Sequence, residues 1–396
     1  MDISLYAPEG EREFVELAQS FARKTIQPMF GGDAPDGNLD MVPSILDAAF
    51  DIGLAASPCP GMPGFEYGIW GTSAGSPDGV RLSAILLSVM AEACAGIAMN
   101  LHAQGLASRV IMSSGAPLPG PPARAAVALQ EGHTFPDHRA LAGPDSESGA
   151  GIGTRAIPAE TGWLITGSKS FVYGMEGADA FLVFCRITEK DGGEDLGCFI
   201  VPAGADGFDI QAIGGRTGIR ACGLNHLVLN DVKVSPEHRL ASGEAFSLIG
   251  QAVCLHWLGM SAIAAGNASG ALKAAREYAA TRYQGGAMIG EHPAVRKLLA
   301  LSEARVEAAF AFLLQTAGFA CAKWDFLRRC AIAKLMTTDW AFSAVTDALQ
   351  VFGGYGYMED YGMEKRLRDA IVLKTASGSR NYMETFVSDA GKEGLR

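Results

Sequence analysis

The sequence predicts a multidomain α+β protein with an N-terminal helical domain, a central antiparallel β-barrel domain and a C-terminal four-helix bundle. Three changes of pattern along the 396 residues support this order. Apolar residues recur at helical spacing up to about residue 114, short β-type runs follow from about 121 to 240, and helical spacing returns after 245. This order differs from the alternating strands and helices of a Rossmann fold. We therefore place the domain limits at residues 1–120, 121–241 and 242–396.

The N-terminal domain is predicted to be helical because Phe14, Leu17, Ala18 and Phe21 recur at helical spacing. Residues 82–99 form a longer run that is rich in Ala, Leu and Ile. The segment before that run, residues 58–77, is rich in Pro, Gly and Ser, which predicts an ordered loop.

Short apolar runs between turn residues predict the β domain. Examples are residues 180–184 (AFLVF), 198–201 (CFIV) and 226–229 (HLVL). The pattern is typical of a small antiparallel barrel or sandwich. After it come Ala-rich stretches, whose small side chains allow helices to pack closely as a bundle.

Composition favours a compact globular protein, because 48% of the residues are hydrophobic and 19% are charged. The net charge is −11 and there is no long basic run, which argues against nucleic acid and anionic membranes as partners. No apolar stretch in the sequence approaches the roughly 20 residues that a membrane-spanning helix needs.

The 8 Cys are scattered without a CxxC pair, which predicts neither a metal site nor a disulfide framework. The N-terminus also lacks the basic-then-apolar layout of a signal peptide. We therefore expect reduced, mostly buried thiols in a cytoplasmic protein.

Residues 350–369 carry the most informative motif, QVFGGYGYMEDYGMEKRLRD. It resembles the flavin-binding signature near the C-terminus of the acyl-CoA dehydrogenase family, and the predicted three-part layout resembles that family's architecture. The resemblance implies an FAD-dependent oxidoreductase that oxidises an acyl-CoA or related thioester at Cα–Cβ and passes electrons to an electron-transfer flavoprotein. It also implies an oligomer, either a homotetramer or a hetero-oligomer with a homologue.

Two β-domain segments resemble the family's flavin-ring motifs. Residues 140–148, ALAGPDSES, are similar to the loop Ala-Leu-Thr-Glu-Pro-Asp-Ala-Gly-Ser, and residues 162–173 to the stretch Gly-Trp-x-Leu-Asn-Gly-x-Lys-x-Trp-Ile-Thr. The resemblance implies that Phe171 packs against the isoalloxazine and that Tyr173 replaces the Thr at its reactive edge. From the first loop it implies contacts by Leu141, Ala142 and Ser148, with Ala142 in place of Thr.

A third segment, residues 282–292 (RYQGGAMIGEH), resembles the family stretch in which an Arg binds the FAD pyrophosphate of a neighbouring subunit. A guanidinium suits this role because it matches phosphate oxygens in a bidentate way. The resemblance implies that Arg282 has this function. Further FAD contacts implied by this stretch and by the C-terminal motif are Gln284, Ile289, His292, Gln350, Gly353, Gly354, Ser379 and Asn381.

The usual catalytic glutamate is missing from the sequence. The family supplies this base from one of two positions, and Ser377 stands at the first. The second aligns with His256, and a common Arg beside it aligns with Trp257, when the register is counted back from Arg282. A carboxylate in a dry pocket is the natural base for the weakly acidic α-proton, so its loss leaves the reaction open.

Three alternatives remain open for this base. His256 could serve, since imidazole accepts protons near neutral pH. A carboxylate could reach in from elsewhere, with Glu92 on the helix expected to line the pocket, or Glu244, as candidates. Alternatively, the protein could be an oxidase, a monooxygenase-like enzyme, a lyase, or a base-less partner subunit of a hetero-oligomeric dehydrogenase. His102, on the helix that faces the substrate tail in the family pattern, is expected to be a packing or solvated residue.

Overall fold

A computed structural model describes residues 3–7, 9–30, 39–116, 120, 123–132, 152–174, 177–188, 194–241, 245–319 and 323–393. The N-terminal part is helical, as predicted. Its helices are α1 (Arg12–Phe21), α2 (Gln27–Phe30), α3 (Val42–Asp51), α4 (Pro77–Ala93) and α5 (Ala95–Ser114).

Local sequence explains where α4 and α5 begin and end. The hydroxyl of Ser76 accepts a hydrogen bond from the Gly79 backbone N–H at 3.2 Å, and Pro77 occupies the first helical turn. Cys94 has an extended backbone that separates the two helices. Gly115 ends α5 with a left-handed φ of 61°. Both helices are almost wholly buried, so they form the core that carries the site.

The central part is a sheet of eight described strands. They are β1 (Ala125–Ala128), β2 (Arg155–Pro158), β3 (Trp163–Tyr173), β4 (Ala180–Thr188), β5 (Glu194–Pro202), β6 (Phe208–Ala212), β7 (Leu224–Val234) and β8 (Arg239–Ala241). The strand order is β6-β7-β3-β2-β4-β5-β8, and β1 pairs with β4. Two expectations need correction: the described sheet is not closed into a barrel, and the pairings β1–β4 and β2–β4 are parallel.

Strand β4 is buried on both faces because its residues alternate between two apolar cores. Phe181 and Val183 belong to a core within the β domain. Leu182 and Phe184 point the other way and join the larger core that the helices share. The sheet is therefore fixed to the helical layers through one of its faces, which places β1 and β3 beside α5.

The C-terminal part contains a short hairpin of β9 (Tyr283–Gln284) and β10 (Ala287–Met288) and five described helices. These helices are α6 (Ala245–Thr281), α7 (Pro293–Ala317), α8 (Lys323–Val351), α9 (Met363–Thr375) and α10 (Arg380–Glu393). Helices α6 to α9 pack together as the predicted bundle, and α10 packs on α8. Among the described residues, α6 alone is long and apolar enough to cross a membrane, contrary to the expectation from the sequence, and 89% of its most apolar window is buried inside the fold.

A buried carboxylate joins the β domain to the bundle. Asp369 on α9 is fully buried and accepts a hydrogen bond from the Ile219 backbone N–H at 2.5 Å. Its second oxygen pairs with Lys365 at 2.7 Å. A buried charge that is both paired and hydrogen-bonded holds its neighbours in a defined arrangement. Helix α9 and the loop that follows it are thus held in place against the β domain.

Candidate functional site

A small pocket, with a cavity volume of about 30 Å³, lies where α5, the sheet, α6 and the loop after α9 meet. Its lining is mostly apolar, with a few polar groups. Helix α5 contributes Met99, His102, Ala103 and Leu106, which recur at the spacing of one helix face. The remaining lining residues are Val127, Leu129, Gln130, Phe171, Tyr173, His256 and Ser377.

The polar groups of this pocket form a chain of hydrogen bonds that starts beneath it. The indole Nε1 of Trp70 donates to Nδ1 of His102 at 2.9 Å. Nε2 of His102 lies 3.0 Å from Nδ1 of His256, and Nε2 of His256 lies 2.6 Å from Oγ of Ser377. Ser377 and His256, the residues that the resemblance aligns with the family's two base positions, are thus in direct contact.

Both histidines in this chain of hydrogen bonds, His102 and His256, are held neutral. Burial lowers the pKa of His102 well below its usual value, and the neighbouring His256 lowers it further. Burial also lowers the pKa of His256 to about 4, and the ammonium of Lys334 adds to the effect. At neutral pH each imidazole therefore carries one ring proton, and its other nitrogen is an acceptor.

Ser377 lies on a strained and firmly held turn. Its φ of 56° lies in the left-handed region, which residues other than glycine rarely adopt. Its carbonyl accepts from the indole Nε1 of Trp257 at 3.0 Å. Lys334 donates to the carbonyls of Lys374, at 3.3 Å, and Gly378. Trp257 therefore positions the serine.

Lys334 is buried beside this turn, and its hydrogen-bond partners in the part of the chain that the structure describes are backbone carbonyls. Burial lowers its pKa to about 8, while Asp339 acts in the opposite direction. The ammonium thus caps the end of α9 and holds the turn that carries Ser377.

Two β3 residues from the flavin-ring motif line the same pocket. Phe171 has a left-handed φ of 54°, and its ring meets His226 edge-on at 5.3 Å between ring centroids. Burial raises the pKa of the Tyr173 phenol, so the phenol stays protonated at neutral pH. Tyr173 can therefore donate a hydrogen bond but is not a base there.

Glu92 does not line the pocket. Its carboxylate accepts from Ser269 and from Lys273, each at 2.5 Å, on the side of α4 that faces α6. The lining helix is α5 instead of α4, so the expectation that the helix of Glu92 lines the pocket was wrong. Leu141, Ala142, Ser148 and Glu244 lie outside the described residues.

A second group of predicted residues surrounds the β9–β10 hairpin, away from the pocket lining. Arg282 lies over the ring of Tyr355 at 5.3 Å, and within the described chain its buried Nε has no hydrogen-bond partner. His292 contacts the Gln284 carbonyl at 2.8 Å, and Ile289 is buried beneath the turn. This arrangement leaves a guanidinium with unused hydrogen-bonding capacity.

The glycine-rich loop after α8 is exposed beside this hairpin. A Cβ at Gly353 or Gly354 would meet nothing within 4 Å, so the backbone there is open to a ligand. Gln350 and Asn381 are also exposed. Ser379 accepts from the Tyr382 backbone N–H at 3.3 Å, which makes it a cap at the start of α10.

Comparisons with known proteins match the middle and the C-terminal part of the chain. The family model described as "Acyl-CoA dehydrogenase, C-terminal domain" matches residues 253–391, and "Acyl-CoA dehydrogenase, middle domain" matches residues 142–232. A curated relative, the short-chain specific acyl-CoA dehydrogenase of Megasphaera elsdenii, is 28% identical over 397 residues, which are 98% of each chain. The chain belongs to the acyl-CoA dehydrogenase family.

Solved structures show that this family member has the family fold. A chain from the electron transferring flavoprotein structure of Acidaminococcus fermentans matches with a TM-score of 0.79 and 23% identity, covering 98% of this chain and 99% of that one. An acyl-CoA dehydrogenase complexed with FAD from Bacillus anthracis matches with a TM-score of 0.78 and 20% identity, covering 98% and 68%. The predicted fold class is thus confirmed.

For this acyl-CoA dehydrogenase family member, the sequence missed one residue of the site and undervalued another. Trp70 lies in a Gly-rich loop with no periodicity that could mark it. His102 was expected to be a packing or solvated residue, yet it lines the pocket and contacts His256. Its place on one helix face with Met99 and Leu106 was the available signal.

Proposed function

We propose that the protein is an FAD-dependent oxidoreductase that oxidises the Cα–Cβ bond of an acyl thioester and passes the electrons to an electron-transfer flavoprotein. One observation carries the proposal. Ser377 and His256, at the family's two base positions, meet in one pocket with Phe171 and Tyr173, at the family's flavin-ring positions. We further propose that the active form is an oligomer, because Arg282 and Gln350 correspond to residues that reach a neighbouring subunit's FAD.

The residues present fit FAD. The Arg282 side chain, whose Nε has no partner in the described chain, would bind the pyrophosphate, and the exposed backbone of Gly353 and Gly354 would approach the same group. Phe171 and Tyr173 would contact the ring system. When bound, the flavin supplies the acceptor for a hydride from the substrate Cβ.

The pocket residues would bind the acyl group and exclude water from it. Met99, Leu106, Val127 and Leu129 form its apolar wall. The Ser377 hydroxyl is the polar group at the position where relatives carry a carboxylate. The apolar wall would contact the acyl chain, and the hydroxyl would orient its carbonyl by a hydrogen bond.

The proton balance is the difficult step. Desaturation breaks Cα–H heterolytically: the electron pair forms the new double bond, hydride leaves Cβ, and the proton needs a base. Among the described residues that line the pocket, none is acidic. The predicted role of His256 as the base remains a prediction, and it needs a free lone pair on Nε2, the atom beside Ser377.

A second candidate function is favoured by this uncharged lining. The protein would then be a flavoprotein of the same fold with another reaction, or a partner subunit that supports an active homologue. An oxidase that is supplied with its substrate would consume oxygen and release hydrogen peroxide. A partner subunit would copurify in a complex of two different chains, which native mass spectrometry would resolve.

The test is an anaerobic titration of the purified, flavin-loaded protein with acyl-CoA thioesters of different chain length and branching. We expect one of them to bleach the oxidised-flavin absorbance. Addition of electron-transfer flavoprotein should then restore it. If the flavin is fully bound and reducible by dithionite, yet no thioester bleaches it, the proposed reaction is overturned.

A further inference from the structure

In the chain of hydrogen bonds from Trp70 to Ser377, the donor of the first bond is fixed. An indole N–H donates and cannot accept. Nδ1 of His102 must therefore be the acceptor of the Trp70 bond, and its lone pair faces the indole. A neutral imidazole with an unprotonated Nδ1 carries its proton on Nε2.

This direction passes along the whole chain. Nε2–H of His102 donates to Nδ1 of His256, which leaves the His256 proton on Nε2. That N–H in turn donates to Oγ of Ser377, so Nε2 of His256 has no free lone pair and cannot act as the base in this state. Reversing any single bond would place two N–H groups against each other, or two lone pairs. We infer that Trp70, His102 and His256 act as positioning residues that fix the Ser377 hydroxyl as a hydrogen-bond donor to the ligand of this pocket.

The Ser377 hydroxyl has one proton and two lone pairs. His256 occupies one lone pair, so the proton of Ser377 is directed elsewhere. Within the described chain, His256 is the hydrogen-bonding partner of this hydroxyl, and Ser377 lines the pocket. The proton is therefore available to an acceptor atom of a ligand there.

A second proton on either His102 or His256 would break the chain of hydrogen bonds. A second proton on His102 would point Nδ1–H at the Trp70 indole, and one on His256 would point Nδ1–H at His102 Nε2–H. Burial opposes such charging, because it lowers the pKa of both imidazoles. Steric fit and electrostatics thus favour the same protonation state.

Two helix glycines make room for the chain. A Cβ at Gly259 on α6 would overlap the His102 ring, with Nε2 only 2.8 Å away. A Cβ at Gly105 on α5 would lie 2.1 Å from the Ile69 carbonyl oxygen and 2.9 Å from Cδ1 of Trp70. Glycine in a helix interior is less stable than alanine, so the close approach offsets a loss of helix stability.

Both ends of the chain are held in unusual backbone conformations. Trp70 has a φ of 66° and Ser377 a φ of 56°, both in the left-handed region. The Trp70 N–H donates to the buried hydroxyl of Ser83 at 3.0 Å, which fixes that end. Such strain persists where the surrounding structure over-determines it, and it concentrates at functional sites.

The ligand of this pocket should therefore present a hydrogen-bond acceptor to Ser377. An acyl carbonyl oxygen, or the oxyanion that forms on it, has this property, whereas an acidic C–H does not. This identification of the acceptor rests on the proposed function. The direction of the chain does not, because it follows from the contacts of Trp70, His102 and His256 alone.

Solid-state NMR of the full-length protein labelled with [¹⁵N]histidine tests the direction, because ring nitrogens with and without a proton resonate far apart. His102→Asn and His256→Asn variants assign the two signals among the 7 histidines. At pH 7 we expect both residues to have a protonated Nε2 and a bare Nδ1. A protonated Nδ1 on His256 in the wild-type protein would overturn the inference.

Two variants test which end of the hydrogen-bond chain fixes the positions of the imidazole protons. Ser377→Ala should leave the proton of His256 on Nε2, because the direction is set at the other end; a shift to Nδ1 would assign control to the serine instead. Folded Trp70→Phe should show a measurable fraction of protonated Nδ1 on both histidines, and an unchanged spectrum would contradict the inference. Trp340→Phe is the matched control, because this indole packs on Phe312 and is not a member of the hydrogen-bond chain. Since neither readout uses substrate or turnover, both can succeed when the thioester titration fails.

Discussion

Oγ of Ser377 lies 2.6 Å from Nε2 of His256, although 121 positions separate them in the sequence. The resemblance of the sequence to family motifs aligns these two residues with the positions at which a base is expected. In this chain neither residue is a carboxylate, and the two bind each other. Substitutions at these two residues can therefore distinguish a dehydrogenase that has lost its base from an enzyme with a different reaction.

Ser377→Glu should restore a carboxylate at the first base position. If the protein is a dehydrogenase that lost its usual base, the rate of flavin reduction by a thioester should rise about 10²-fold or more, the typical contribution of a positioned base. The left-handed backbone at this position will cost some stability. Anaerobic stopped-flow absorbance measures the rate.

Ser377→Gln is the control for that substitution, because it has nearly the same shape without the charge. A rate gain shared by the Glu and Gln variants would contradict restoration of a base. If thioesters reduce neither variant while both retain flavin, the reaction differs from desaturation.

Gly259→Ala should break the hydrogen-bond chain by displacing His102. The added Cβ would overlap the imidazole, and overpacking of a buried site typically costs about 1 to 3 kcal/mol. Gly250→Ala on the same helix is the matched control, because a Cβ there meets nothing within 4 Å. That control should be neutral or more stable by up to about 1 kcal/mol. Denaturant unfolding compares the two, and equal stability would refute the close fit.

The three-part order of the fold could be predicted from the sequence, and Ser377 and His256 could be aligned with the two base positions, whereas their contact could not be predicted. Periodicity separates helices from strands, and counting back from Arg282 along one unbroken helix fixes the register of His256. The open sheet could not be predicted, because the strand pattern does not encode closure. Trp70 lies in a loop, where only the folded chain brings it beneath His102. Glu92 was misplaced because the helical run around residues 82–99 contains two helices, and the break at Cys94 decides which one lines the pocket.

Stability should fall when the pH decreases from about 6.5 to about 4, partly because of His256. Its pKa is about 4 in the folded protein and 6.5 without burial, so the unfolded chain binds more protons in this window. The free energy of unfolding therefore rises with pH across this window. Above the window the contribution of His256 is fully present and amounts to up to about 3 kcal/mol. Thermal melts of folded His256→Gln should show a shallower loss than the wild type. An equal loss of stability in the variant and in the wild type would contradict this contribution of His256.

Arg282→Gln should weaken FAD retention by about 10- to 100-fold, the range expected for loss of a charged hydrogen bond. The Nε of Arg282 lacks a partner in the described chain, so the substitution leaves few internal contacts broken. Arg296→Gln, an exposed arginine in the first turns of α7, controls for the loss of charge. Flavin fluorescence on release measures the affinity. Equal retention by both variants would place the pyrophosphate elsewhere.

Ser377→Ala should reveal which ligand atom the hydroxyl contacts. If Ser377 donates to an acyl carbonyl oxygen, its loss should weaken thioester binding by about 2- to 10-fold, the usual net value of one hydrogen bond. The corresponding CoA thioether has no carbonyl oxygen, so it should bind the wild type and the variant equally well. Calorimetric titration of both ligands separates the hydrogen bond from general changes in the pocket. An equal loss for thioester and thioether would mean that Ser377 shapes the apolar wall instead. No loss for either ligand would mean that the acyl group does not reach the serine, and the chain from Trp70 would then serve another acceptor.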